Sequence, residues 1–379
     1  MNFQSTADVI RREATDKFAG VDWSFAGRVA GDDLESIHPY PAKFIPEIPG
    51  TILDRLPVEK GLAVLDPFVG SGTTLVECQR RGVRSIGIDL NPIACLISRV
   101  KTRPVPANLG DALQDVIRRA DKDKAVAIPS IPNLLHWFSE PVAGALAQLV
   151  HSISDSPKQY SDVLKLALSS VLVRVSNQES DTRYAAVSKN VSPDAVYEAF
   201  RSACQKLNNA LINRDYELPQ STVLERDTLA VEPSDMSEKI GAVITSPPYP
   251  NAYEYWLYHK YRMWWLGYDP LWVKDREIGA RAHFFKVKRH TASHFVEQMQ
   301  RTFSLIDRVL SPNGYACFVV GRSKIHGEIV DNAQIVENAA RSFGFKTEYR
   351  TERIIARNRK SFNLSHANIK TETIIILSR

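Results

Sequence analysis

Leu65-Asp66-Pro67-Phe68-Val69-Gly70-Ser71-Gly72-Thr73-Thr74 closes the short apolar run Gly61-Leu62-Ala63-Val64, which has the pattern of a buried strand. The strand ends in Asp66. Gly70, Ser71 and Gly72 then permit a tight turn and close backbone approach to a ligand. Thr73-Thr74-Leu75-Val76-Glu77 opens a helix with a threonine near its cap. A second strand, Val83 to Ile88, ends in Asp89 and is followed by Leu90-Asn91-Pro92. An acid at the end of a second strand suits a ribose diol, as in dinucleotide folds. A glycine loop alone equally fits a nucleotide phosphate, but no Gly-Lys-Ser/Thr follows, so a P-loop reading fails.

The second half carries Ile244-Thr245-Ser246-Pro247-Pro248-Tyr249 after the apolar run Ile240-Gly241-Ala242-Val243. Two prolines at a strand end remove two amide donors and fix two φ angles. The residue before each is pushed into an extended conformation. The carbonyls of Ser246 and Pro247 therefore leave the turn in a preset direction. A hydroxyl plus a backbone carbonyl can accept both hydrogens of an exocyclic –NH2. By itself a Pro-Pro turn with a packing tyrosine is the plainer reading. Its pairing with the glycine loop makes the case.

Together the two segments resemble the cofactor loop and catalytic loop of DNA amino-methyltransferases, which methylate exocyclic nitrogens of cytosine or adenine. The resemblance implies S-adenosylmethionine as cofactor, with Asp66 near its ammonium, Asp89 on its ribose and Phe68, Gly70, Gly72, Thr73, Thr74 and Asn91 around it. Ile37-His38-Pro39-Tyr40-Pro41-Ala42-Lys43-Phe44-Ile45-Pro46 resembles the segment placed over the methionine end, bringing Lys43 and Phe44. Ser221 to Asp227 looks like a third strand ending in an acid, and the family uses the position of Asp227 for the adenine amino group. Ser246, Pro247, Pro248 and Tyr249 would be catalytic, with Tyr249 stacking on a base swung out of the helix. Serine at the head of that turn favours cytosine N4 over adenine N6 as a family tendency. The implied partner is double-stranded DNA, with a cognate restriction endonuclease as a further candidate.

The implied fold is α/β: a doubly wound, mostly parallel sheet of the S-adenosylmethionine-dependent methyltransferase type, with a C-terminal antiparallel hairpin and a helical insertion. Residues 1–102 form the first part of the methyltransferase domain and residues 220–379 the catalytic part. Residues 103–219 are the insertion, a candidate for target recognition. Within it Leu134 to Ile153, Val163 to Val175 and Asp194 to Leu211 have helical apolar spacing. Its place departs from the family's usual order, so the resemblance leaves the recognition region unassigned. Downstream, Phe303 to Leu310 is an amphipathic helix stopped by Ser311-Pro312-Asn313-Gly314. Tyr315 to Gly321 reads as a buried strand and Ile329 to Phe343 as a helix ended by Gly344. Arg353 to Ala356 and Glu372 to Leu377 read as two terminal strands.

Length of 379 residues and 44% hydrophobic content allow a substantial core. Cys78, Cys95, Cys204 and Cys317 form no CxxC pair, which argues for reduced cytoplasmic thiols and against zinc. No apolar run reaches transmembrane length, and the N-terminus lacks a secretory pattern. A net charge of +5 permits a polyanionic partner without identifying one. Candidate DNA contacts are Arg183 in a polar stretch from Arg174 to Tyr184, Arg276, Arg281, Lys288 and Arg289 among aromatics, and Arg359 and Lys360 in the terminal hairpin loop. The aromatic group from Tyr253 to Trp265 is read as core, with Tyr253 or Tyr255 the first candidates for a base pocket. A C5-cytosine enzyme needs a nucleophilic cysteine on a Pro-Cys element, and no Pro-Cys dipeptide occurs. The competing readings are an adenine N6 enzyme, an RNA base N-methyltransferase and a catalytically silent DNA-binding scaffold.

Overall fold

The computed structural model describes residues 16–28, 33–122, 126–181, 183–251, 253–285, 289–355 and 371–379. Five strands pair in parallel or lead into parallel pairs: β1 (Ala63–Asp66), β2 (Ser85–Asp89), β3 (Ser221–Glu225), β4 (Ile240–Thr245) and β5 (Leu310–Gly321). A separate two-stranded ribbon joins β6 (Ser323–Ile325) to β7 (Glu328–Val330). The seven-stranded sheet is completed by β8 (Lys346–Ile354) and β9 (Thr371–Ser378), in the order β3-β2-β1-β4-β5-β9-β8. β9 runs antiparallel to both of its neighbours, and all other pairings in the sheet are parallel. The expected mixed α/β architecture with a terminal antiparallel hairpin is therefore present.

Strand order reverses between β1 and β4. The chain walks outward through β1, β2 and β3, then returns to place β4 on the other side of β1. Because β1 and β4 are parallel, Asp66 and Ser246 leave the sheet at the same edge. Such a switch point leaves a crevice outside the carboxyl ends of the strands.

Alternate side chains fill the two faces. Leu65, Ile86, Val243, Phe318 and Ile375 pack on one side under α11 (Ala292–Val309) and α12 (Asn332–Arg341). Val64, Ile244, Cys317, Ile374 and Ile376 pack on the other with α1 (Glu47–Arg55) and with Cys78 of α2 (Thr73–Arg80). The four cysteines are buried and free. Among the described residues no helix is long and apolar enough to cross a membrane.

The insertion is helical: α4 (Leu109–Lys122), α5 (Leu134–Trp137), α6 (Glu140–Ser154), α7 (Lys158–Val175) and α8 (Pro193–Ile212). The helix expected over Leu134 to Ile153 breaks at Phe138, which is extended, and restarts with Pro141 in its first turn, where no amide donor is needed. The only strand-like feature among its described residues is a bridge between Gln178 and Ala186. These helices do not form a core of their own. Leu146, Leu168 and Phe200 share one apolar cluster with Ile93, Leu96 and Ile97 of α3 (Pro92–Thr102) and with Met263 and Trp265 of α9 (Tyr255–Trp265). Arg262 of α9 is buried; it donates to Ser169 O at 3.0 Å and pairs with Asp181, tying α9 to α7 and the loop after it.

Two local expectations change. Ser311 to Gly314 is no interruption between helix and strand. It is an irregularity inside β5, since Leu310 pairs with Ile240 and Tyr315 with Ala242, with Asn313 at φ 64°. The helix expected from Ile329 starts only at Asn332. His326 and Gly327, both at positive φ, turn β6 into β7, and Asp331 then caps the helix by accepting from the Ala333 and Gln334 amides.

Phe138 is 1% exposed and meets the Trp265 ring edge-on at 5.5 Å between centroids, joining the insertion to α9. Phe138→Ala is expected to destabilise the protein by about 3–5 kcal/mol and to lower one shared thermal transition. Calorimetry showing a separately melting insertion, with the remainder unaffected, would contradict this packing.

Candidate active site

A cavity of about 530 Å3 opens at the switch point, within the usual range for small-molecule sites. Its wall joins the loops after β1, β2, β3 and β4 to the segment from Tyr40 to Ile45. Lys43, Phe44, Asp66, Phe68, Gly70, Thr73, Thr74, Asp89, Asn91 and Asp227 all line it, as do Ser246, Pro247, Pro248 and Tyr249. Gly72 is not among the lining residues. At φ +81° it sits where a Cβ would stand 2.8 Å from Ser98 Oγ and 3.0 Å from Ser98 Cα, so close packing on α3 calls for glycine there. Gly70, at φ +49°, lies under the Tyr40 ring.

The acids are held by their own loops. Asp66 accepts from Thr245 Oγ1 at 2.6 Å and from the Phe68 amide at 3.1 Å. Asp89 accepts from the Gly70 amide at 2.9 Å and the Asn91 amide at 2.8 Å. Burial pushes both carboxyls up to about 6, against these stabilising donors. Asp227 Oδ1 caps a short helical turn through the Leu229 amide, and the Thr228 hydroxyl donates to Pro67 O, closing the third loop onto the first. Asn91 Nδ2 is buried in the wall without a hydrogen-bond partner among the described residues. Lys43 Nζ donates to His38 O at 3.0 Å and to Glu35 O, and burial lowers it to about 8.

In the catalytic turn, the Ser246 hydroxyl donates to Val319 O at 3.0 Å. A hydroxyl that has spent its proton in this way keeps lone pairs for accepting. Tyr249 leans on the β1–β5 side of the core, and its hydroxyl donates to Glu372 at 3.1 Å. Gly279, at φ +73°, lies against the same loop: a Cβ there would be 2.6 Å from Tyr249 O.

Several wall residues escaped sequence reasoning. Tyr40 stacks on Tyr255 at 5.6 Å and on His259 at 5.3 Å. Glu277, after α10 (Pro270–Arg276), accepts from the Tyr255 and Trp256 amides at 2.9 and 2.6 Å and is raised to about 8 by burial. Arg353 and Glu372 arrive from the terminal hairpin. Only Tyr40 carried a local signal, its place beside Lys43. The others are assembled by tertiary pairing. Of the aromatic group, Tyr253, Tyr255 and Tyr258 line the cavity while Tyr261 and Trp265 are core.

The candidate DNA contacts scatter. Arg276 lines the cavity and lies 4.6 Å over the Trp272 ring. Arg281 sits over the exposed Phe285 ring at 5.1 Å. Arg289 is exposed. Arg183 is exposed, outside the cavity wall, and paired with Glu179 at 2.9 Å. Lys288, Arg359 and Lys360 lie outside the described residues.

Asp66 has a consequence for stability. Its folded value of about 6 exceeds the ordinary 3.8. The folded state therefore binds this proton more tightly, and the stability it contributes is present below about pH 4 and lost as pH rises through about 6. Asp66→Asn should thus melt at or above the wild-type temperature at pH 8, with the advantage reduced at pH 5 and gone below about pH 4. A variant less stable at pH 8 than at pH 5, relative to wild type, would contradict the buried-anion assignment.

A family model described as DNA methylase, N6 and N4 type, matches residues 4–99. The type II methyltransferase M.MjaII of Methanocaldococcus jannaschii is 43% identical over 86 residues, covering 21% of this chain and 16% of its own length. The type II methyltransferase M.MvaI of Kocuria varians is 24% identical over 239 residues, 57% of this chain and 53% of its length. The type II methyltransferase M.BsoBI of Geobacillus stearothermophilus is 26% identical over 281 residues, 64% of this chain and 55% of its length. The alignments thus span at most about half the length of these curated relatives. These matches relate residues 4–99 to the N6 and N4 type of DNA methylase, and the curated relatives that support this likeness are type II DNA methyltransferases.

Proposed function

We propose that the protein transfers a methyl group from S-adenosylmethionine to the exocyclic N4 amine of a cytosine swung out of duplex DNA. The observation that carries this reading is one cavity shared by the acid-tipped loops Asp66 and Asp89 and the turn Ser246 to Tyr249. The preference for cytosine rests on Ser246 at the head of the turn, a tendency of the family, and adenine N6 is the other outcome that the test below distinguishes.

The wall fits the cofactor. Its ammonium and sulfonium are cationic, and Asp66, Asp89, Asp227 and Glu277 face the same space. The unpartnered Asn91 Nδ2 offers a donor to a ring nitrogen or hydroxyl. Asp89 would hold the ribose diol, Asp66 the ammonium and Asp227 the adenine amine. When bound, the cofactor supplies an electrophilic methyl group.

The protein's own residues do the rest. An exocyclic amine is a poor nucleophile because its lone pair is delocalised into the ring. Ser246 Oγ, its proton already committed to Val319 O, and the Pro247 carbonyl accept the two amine hydrogens. That holds the lone pair out of the ring plane and toward the cavity. Tyr249 offers a face to the extruded base. Positioning of this kind can supply much of a barrier reduction.

Mass spectrometry of nucleosides from duplex DNA treated with protein and cofactor is expected to show N4-methylcytosine. N6-methyladenine alone would move the base assignment, and methyl incorporation into RNA only would defeat the DNA reading. Cofactor affinity is expected to weaken as pH falls through about 6, because Asp89 loses its charge there. Titration calorimetry across pH 5 to 8 checks this, and Asp89→Asn should make the profile shallower, leaving the part due to Asp66, which titrates in the same range.

A further inference from the structure

Tyr249 is held by more than its own turn. Its hydroxyl lies 3.5 Å from both Ser246 Oγ and Val319 O, at the limit of hydrogen bonding, but donates to Glu372 Oε1 at 3.1 Å. Glu372 stands at the start of β9, and its other oxygen pairs with Arg353 near the end of β8. Arg353 Nε in turn donates to Trp23 O at 2.9 Å. The side chains of Arg353 and Glu372 are only 5% and 18% exposed.

A pair so buried costs desolvation that its mutual attraction offsets only in part. The sheet itself does not require it, since the following β9 residues Ile374, Ile375 and Ile376 are apolar and fully packed. What the pair adds is a fixed acceptor aimed at the cavity. Burial and the Glu372 charge hold the Tyr249 phenol well above its ordinary value, so it remains a donor.

We propose that Glu372, oriented by Arg353, is a positioning residue for Tyr249, fixing the long axis of the ring on which the target base stacks. The inference rests on the proposed function and deepens it. It gives the hydroxyl of Tyr249 a task that phenylalanine cannot perform. It also makes the terminal hairpin part of the base pocket, through residues more than 100 positions from the catalytic turn. Ring orientation sets where the amine meets Ser246 Oγ and the Pro247 carbonyl, so its loss lowers turnover more than binding.

The test is methyl transfer to duplex DNA by the full chain, with turnover and substrate KM measured separately, cofactor affinity by calorimetry and thermal melting as a fold control. Tyr249→Phe and Glu372→Ala are each expected to lower kcat by about 10- to 100-fold, the range for a hydrogen bond to a charged group. Cofactor affinity should stay within about twofold, and the double variant should be no worse than Glu372→Ala alone. Glu372→Gln, whose amide oxygen still accepts from the phenol, should recover most of the turnover. Losses that multiply in the double variant, or wild-type turnover in Tyr249→Phe, would overturn the proposal; the latter decides even if Glu372→Ala fails to fold. A wild-type chain that methylates no duplex defeats the functional reading and this one with it, whereas active wild type with multiplying losses defeats this one alone.

Discussion

The parallel pairing of β1 with β4 across the reversal of strand order is the constraint on which the site depends. Without it, the loop ending in Asp66 and the turn beginning at Ser246 would leave the sheet at unrelated places. Val64 against Ala242 and Leu65 against Val243 fix the register, and Thr245 Oγ1 reaches Asp66 across the pair at 2.6 Å. One hydrogen bond thus links the expected cofactor side of the crevice to the expected catalytic side. Thr74 Oγ1, 3.5 Å from Ile244 O, lies along the same seam.

Concentrating acids in that crevice opposes folding. Asp66 and Glu277 are buried and Asp89 is half-buried, and all three are held above the ordinary carboxyl range by desolvation. The backbone amides of Phe68, Gly70, Asn91, Tyr255 and Trp256 offset part of this by donating to them. Loops shaped to present those amides need glycine where the chain turns left-handed, as at Gly70, and where two segments touch, as at Gly279 against Tyr249 O. A cationic ligand would relieve the remaining repulsion, which gives the site a physical preference for the charge type that the proposed cofactor carries.

The helical insertion contributes rigidity to the same region. Its helices share their core with α3 and α9, and the buried Arg262 joins α9 to Ser169 and Asp181. His38, just upstream of the Tyr40 segment, contacts Ser169 Oγ at 2.9 Å. The elements that carry Tyr40 and Tyr255 into the cavity wall are therefore braced from the insertion side.

The sequence by itself determined the strands that end in Asp66 and Asp89, the glycine turn between strand and helix, and the stiff Ser246 to Tyr249 turn. Each is local: apolar runs of strand length, glycine where φ must be positive, and prolines that fix their own geometry. The order of the strands and the terminal hairpin were legible only through resemblance. Boundaries failed where a local signal was outvoted, as at Ser311 to Gly314, where pairing with β4 keeps the chain in the sheet. At Gly72 the need for glycine is also tertiary, since a Cβ there would meet Ser98. Glu277, Arg353 and Glu372 carried no local mark, because their place in the cavity wall is created by contacts between segments distant in the chain. Only folding brings such groups together, since a side chain's neighbours across a sheet are set by strand order and register and not by its position in the sequence.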